Sequence, residues 1–271
     1  MSSSVTRFYS SLVFTKPYLA IAILLLLVGF FGWQTQNFRL DASADSLLLE
    51  DDPDLEFSRE INVRYGIREA VTIAYTPTGD LFSREELNKL GELRDELLAI
   101  NRVESVDSIL NVPIFEDTPL TGISEDYLTL SDQDIDLVSA REEVTSSPVF
   151  RNAVISPDGK TAGMLVSFAI DETARDLIGR RTELRNKARS EELSVDDVSE
   201  LAQVESDYAI HSVLSADRQH EIISVVRATL ERYRDDAQIY LGGAPMIADD
   251  LVTFVQGDLS SFSFAVVLLI I

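Results

Sequence analysis

The chain has 271 residues, enough for one or two domains with a proper core, and its 23 Lys and Arg stand against 46 Asp and Glu for a net charge of −23. It has no cysteine, which excludes disulfides and thiolate metal sites. Residues 1–40 hold Arg7, Lys16 and Arg39 and no acid, and residues 259–271 hold no charge, so residues 41–258 carry all 46 acids against 23 − 3 = 20 bases; a segment of net −26 repels nucleic acid and offers no polybasic footprint for anionic lipid.

The first element is "YLAIAILLLLVGFFGW", Tyr18 to Trp33, a run without charge. Tyr18 and Trp33 stand at its ends, where amphipathic rings favour the headgroup level, and Arg7 and Lys16 lie on its N-terminal side. The positive-inside rule then places residues 1–16 in the cytoplasm, a transmembrane helix over 17–35 and residues 36–258 outside. A cleaved signal peptide is the competing reading, since Ala42–Ala44 spells "ASA". That site sits further past the apolar run than signal peptidase sites usually do. A buried core helix is a third reading.

After an extended start and the acidic turn Asp51-Asp52-Pro53-Asp54, a short helix is expected over 55–65, its acids capping the helix that begins after Pro53. "EAVTIAYT" (69–76) is rich in β-branched residues and stops at a Pro-Thr-Gly-Asp turn, the signature of a strand. Ser83 with Glu86 predicts a capping box, Phe82 with Leu87 a hydrophobic staple. The stripe Leu87, Leu90, Leu93, Leu97, Ile100 predicts a helix over 83–100. "VESVDSIL" (103–110) alternates as a strand; 111–130 reads as loop. Ser131 and Asp134 offer N-caps for a helix to about Glu143. "VFRNAVIS" and "KTAGMLVSFAI" flank a Pro-Asp-Gly turn and predict a β-hairpin over 149–170. Residues 171–217 are polar and helical, a solvated insertion. "HEIISVVRATLERYRDD" (220–236) is an amphipathic helix and "AQIYLGG" (237–243) a strand stopped by Gly242-Gly243, a pair that permits positive φ. Pro245 restarts a helix that runs into "SSFSFAVVLLII", which with nine apolar residues from Phe262 to Ile271 is half a span. Strand, helix, strand, strand, helix, strand is βαββαβ, the split-βαβ or ferredoxin-like pattern, an α+β class fold with both helices on one face of a four-stranded antiparallel sheet.

Chemistry-bearing motifs are sparse. His211 and His220 sit in polar helical context and read as surface residues; no H-E-x-x-H, G-x-S-x-G, P-loop or G-x-G-x-x-G occurs. Asp132, Asp134, Asp136 and Glu143 fall at positions 1, 3, 5 and 12 of an EF-hand-like loop, but Leu137 stands where the sharp turn needs glycine, and an N-capped helix with an acidic first turn explains the same letters. No catalytic, metal or cofactor-binding residue is assigned and no cofactor is expected. Neither apolar segment contains an ionisable residue of the kind proton relays use.

One span, an acidic α+β domain and a returning helix resemble the resistance-nodulation-division (RND) superfamily, in its MMPL-like, hydrophobe-exporter branch. "DASADSLLLEDDPDLEFSREINVRYG" looks like the stretch after the first helix in that branch, although Leu49-Glu50 stands where the family has Pro before the acids. "NRVESVDSILNV", "VISPDGKTAGMLVSF", "YLGGAPMIADDL" and "QGDLSSFSFAVVLLII" resemble its strand, hairpin, glycine-pair and second-helix motifs in the same order; 171–215 does not. The resemblance implies the N-terminal part of a proton-driven exporter in the bacterial inner membrane: 36–258 the first periplasmic porter domain, 259–271 the start of a truncated second transmembrane helix. The implied partners are the bilayer, a hydrophobic or lipid-like substrate, the remainder of the same transporter with its second porter domain, and a possible homo-oligomer. The relay carboxylates lie outside this chain. Gly242, Gly243 and Pro245 are expected to be structural and Asp258 to cap the second helix; substrate-binding residues are unknown, with contacts expected in a cleft near the 111–130 loop and the 149–170 hairpin. The alternative is the extracytoplasmic sensor domain of a two-helix receptor.

Overall fold

The computed structural model describes residues 17–34, 57, 61, 68–115, 127–190 and 193–270. The expected helix over 55–65 therefore lies outside the described residues except for Phe57 and Ile61, both helical, as do the N-terminal segment and 116–126 of the loop. The chain divides into two units, residues 1–42 with 251–271, and residues 43–250.

In the first unit, α1 is Pro17–Gln34, 18 residues without a charge. At about 1.5 Å per residue it is roughly 27 Å long, short of the roughly 30 Å hydrocarbon layer. Among the described residues no helix is long and apolar enough to cross a membrane.

The second unit is mixed α+β. Its strands β1 (Ala70–Pro77), β2 (Val103–Asp107), β3 (Ala162–Phe168) and β4 (Ala237–Gly242) form one sheet in the order β2-β3-β1-β4. Every neighbouring pair is antiparallel. α2 (Arg84–Leu98) connects β1 to β2. α3 (Leu137–Ser146) lies between β2 and β3; α4 (Glu172–Ser190) and α5 (Val195–Glu231) lie between β3 and β4. α6 (Ala244–Ile270) follows β4. The expected order of strands and helices is present, the C-terminal half of α5 serving as the second helix, with α3, α4 and the first half of α5 inserted.

The sheet sorts its side chains by the period of two. Val71, Ile73 and Tyr75 of β1 are buried while Thr72 between them is exposed. The buried face meets Leu87, Leu90, Leu93 and Leu97 of α2 and Ile223, Val226 and Leu230 of α5 in one core. Leu165 and Tyr240 remain exposed on the opposite side.

Several boundaries differ from expectation. Ser83 does cap α2, its side chain accepting the Glu86 N–H, but the box is half made. Glu86 turns inward, buried, to the Tyr75 hydroxyl at 3.3 Å, and the Ser83 N–H goes to the Asp80 carbonyl. The strand at 103–110 stops at Asp107 because Ser108 and Asn111 cap each other across a 3₁₀ turn, Ile109–Asn111. Asp136, not Ser131 or Asp134, caps α3; Ser131 donates instead to the Leu110 carbonyl. The 149–170 hairpin has only one strand. Around the turn at Gly159 (φ +68°) its first arm makes single bridges, Arg151 with Ile155 and Ile155 with Ala162, and the Phe150 carbonyl collects the N–H groups of Ala153 and Val154. The helix expected at 220–236 is not separate: α5 runs unbroken for 37 residues through the supposed insertion.

Of the four structural residues, Gly243 has φ +129°, whereas Gly242 has no positive φ and belongs to β4. Pro245 lies in the first turn of α6, its carbonyl accepting from Gln219 at 2.9 Å. Asp258 does not begin a helix, since α6 is continuous through it, so it caps nothing.

Candidate functional site

The connections assemble a cleft of about 200 Å³ at one end of the sheet, where β1 and β2 begin and β3 ends. Glu69 precedes β1, Arg102 precedes β2, and Phe168 leads through Ala169 and Ile170 to Asp171, ahead of α4. The middle of α5 closes the site with Ser215, Arg218, Gln219 and Ile222.

Asp171 is the node. Its Oδ1 accepts the Ala174 N–H at 3.0 Å, a helix cap. His211 Nε2 lies 2.9 Å from both carboxylate oxygens, and Ser215 Oγ donates to Oδ2 at 3.0 Å. Partial burial, the largest single influence, pushes the Asp171 carboxyl up, but the Ala174, His211 and Ser215 donors outweigh it and hold the group below its ordinary value. An ionised carboxylate only accepts, so the His211 nitrogen facing it carries the proton.

Glu69 moves the opposite way. It reaches solvent, yet crowding by the strand ends desolvates its carboxyl and raises it; the charge of Asp171 adds and that of Arg102 opposes. Arg102 itself holds φ +68°, uncommon for a residue with a Cβ. Its guanidinium donates to the Ala169 carbonyl at 3.0 Å, and its own carbonyl accepts the Ala169 N–H at 2.8 Å.

Ser215 Oγ donates to the Asp171 carboxylate, a weak base held below its ordinary value, and not to His211. Among the described residues no cluster of three or more His, Asp or Glu is arranged to hold a metal ion. Three of the four acids of the EF-hand-like spacing are already engaged: Asp132 accepts from Thr129 N and Oγ1, Asp136 from Val138 N, and Glu143 from Phe115 N.

Of the two histidines expected at the surface, His220 is there, 62% exposed at its side chain and paired with Asp249 at 2.6 Å, whereas His211 is largely covered, 16% exposed. Only one signal for the cleft was available in sequence, the Asp171 cap before the helical stretch; nothing linked it to residues 69, 102 and 211–222. Compared with family models, curated proteins and solved structures, the chain matches none.

Proposed function

We propose that the chain is the N-terminal part of a proton-driven RND-type exporter of hydrophobic or lipid-like substrates, with residues 36–258 as its first extracytoplasmic porter domain, a ferredoxin-like fold with insertions. The observation that carries this reading is the strand order β2-β3-β1-β4, all antiparallel, in a domain flanked by apolar helical stretches. Split-βαβ domains serve many functions, so the weight rests on their combination with uncharged ends around an acidic middle.

In this reading 17–35 and the chain from 259 onward lie in the membrane. The absence of charge in both and the exposure of Tyr18, Leu26, Phe30 and Trp33 support it. With α1 about 3 Å shorter than an average hydrocarbon layer, flanking residues or local thinning would make up the difference.

The topology has a clean test because the chain has no cysteine of its own. In whole cells, a membrane-impermeant maleimide should label Ser199→Cys, at an exposed site on α5, and should reach Ser3→Cys only after lysis. The reverse pattern would overturn the orientation. The exporter itself is tested in the reading frame beyond codon 271: further hydrophobic helices and a second α+β domain are expected, and a stop codon there in an intact locus sinks the proposal.

A further inference from the structure

The cleft at Asp171 joins two kinds of surface. Ile170, Ile178 and Ile222 supply apolar wall, and Glu69, Asp171 and the guanidiniums supply charge. The cationic side chains there are engaged. Arg102 donates to the Ala169 carbonyl, Arg175 pairs with Glu172, and Arg218 donates to the Leu214 carbonyl at 3.0 Å and to Ser215 Oγ at 3.1 Å. Asp171 is saturated by Ala174, His211 and Ser215. Glu69 is different: among the described residues its carboxylate makes no hydrogen bond and no ion pair, although it lines the cleft.

We propose that this cleft binds a cationic amphiphile, a protonated amine on a short apolar chain, with the ammonium on Glu69 and the chain along Ile170, Ile178 and Ile222. A carboxylate only accepts and an ammonium only donates, so the two are matched. An anionic head would find spare N–H donors on the guanidiniums, but it would have to approach a segment of net −26, whose field concentrates cations instead. About 200 Å³ holds roughly six carbons if each takes about the volume of one water. As a statement about cargo the inference rests on the exporter reading; as a statement about binding it stands on the cleft alone.

Calorimetric titration of the full chain in lipid nanodiscs with n-hexylamine, hexanoate and 1-hexanol, each corrected for empty nanodiscs, tests it. Saturable binding of hexylamine alone is expected, weakened about tenfold or more by Glu69→Gln and largely restored by Glu69→Asp. Four results overturn it: no amine binding, amine binding unchanged in Glu69→Gln, Glu69→Asp as weak as Glu69→Gln, or hexanoate or hexanol binding as tightly as the amine. Failure here leaves the exporter reading standing, because that falls on the downstream frame. Amine binding to a chain with no exporter downstream would leave the site and remove only its use.

Discussion

At Gly243 the chain turns from β4 into α6 with φ +129°, and a Cβ would lie 2.9 Å from the Ala70 carbonyl oxygen and 3.0 Å from Val71 Cα. Both are backbone atoms of the central strand, so neither can swing aside. Gly243→Ala should cost about 3 kcal/mol in urea or thermal unfolding, combining an unfavourable φ with the close approach. Gly242, with nothing within 4 Å of its Cβ position, should accept alanine within about 0.5 kcal/mol. The sequence shows a glycine pair ending a strand; which of the two is irreplaceable depends on how closely Ala70 approaches from 173 residues away, a fact of tertiary packing. Glu69 makes the complementary case. Its folded carboxyl is raised by desolvation and by Asp171, so the folded state holds its proton more tightly than the unfolded one. That preference stabilises below the unfolded value, 4.5, and is lost as pH rises through the folded value. Glu69→Gln should therefore raise the melting temperature at pH 7 and lose that advantage below about pH 4. Solvent screening keeps the gain under about 1 kcal/mol.

On the scale of elements, local periodicity predicted what local forces decide. The leucine stripe of α2 and the alternation of β1 were readable because each pattern is complete within one element. The unity of α5 was not, since its polar first half and apolar second half look like different objects when one helix passes from a hairpin to the core. The cap at α3 is not at Ser131 or Asp134 because Ser131 is spent on the Leu110 carbonyl, beside a tight turn in which Asp132 accepts from Thr129, and Asp136 takes the Val138 N–H. That turn is held by a residue the pattern did not single out. Arg84 donates from Nη1 to the Leu130 and Asp132 carbonyls and from Nη2 to those of Gln133 and Ile135, at 2.6–3.4 Å. Arg84→Ala should cost about 2 kcal/mol by leaving these acceptors without their charged donor. Amide exchange should accelerate across 128–136 while the β1–β3 ladder keeps its protection. Arg84→Lys should not restore it, because an ammonium has no planar fork to reach four carbonyls.

Across the whole molecule the dominant fact is charge, and it acts in two opposed ways. The hairpin of α4 and the first half of α5 has little apolar core, Leu184 and Val204 being its buried apolar residues. It is laced by Arg180–Glu200 at 2.7 Å, Arg185–Glu205 at 2.8 Å and Lys187–Asp197 at 2.8 Å. The Lys187 ammonium and the Ser194 hydroxyl and N–H bring the Asp197 carboxyl down to about 2. These attractive pairs are only partly covered and individually weak. Against them stands the mutual repulsion of a segment carrying net −26, which disfavours any compact state. Salt screens both, but not equally. Contact pairs under 3 Å lose part of their attraction, whereas repulsion summed over tens of ångströms largely vanishes once the Debye length falls from about 30 Å at 0.01 M to about 3 Å at 1 M. Raising NaCl from about 10 mM to about 0.5 M should therefore increase the global melting temperature by a few degrees. Over the same range, amide exchange in 172–214 should quicken, because the hairpin depends on the pairs and the sheet core does not. A melting temperature that falls with salt would mean that the cross-helix pairs outweigh the global repulsion, and uniform slowing of exchange would mean that the hairpin is held by packing instead.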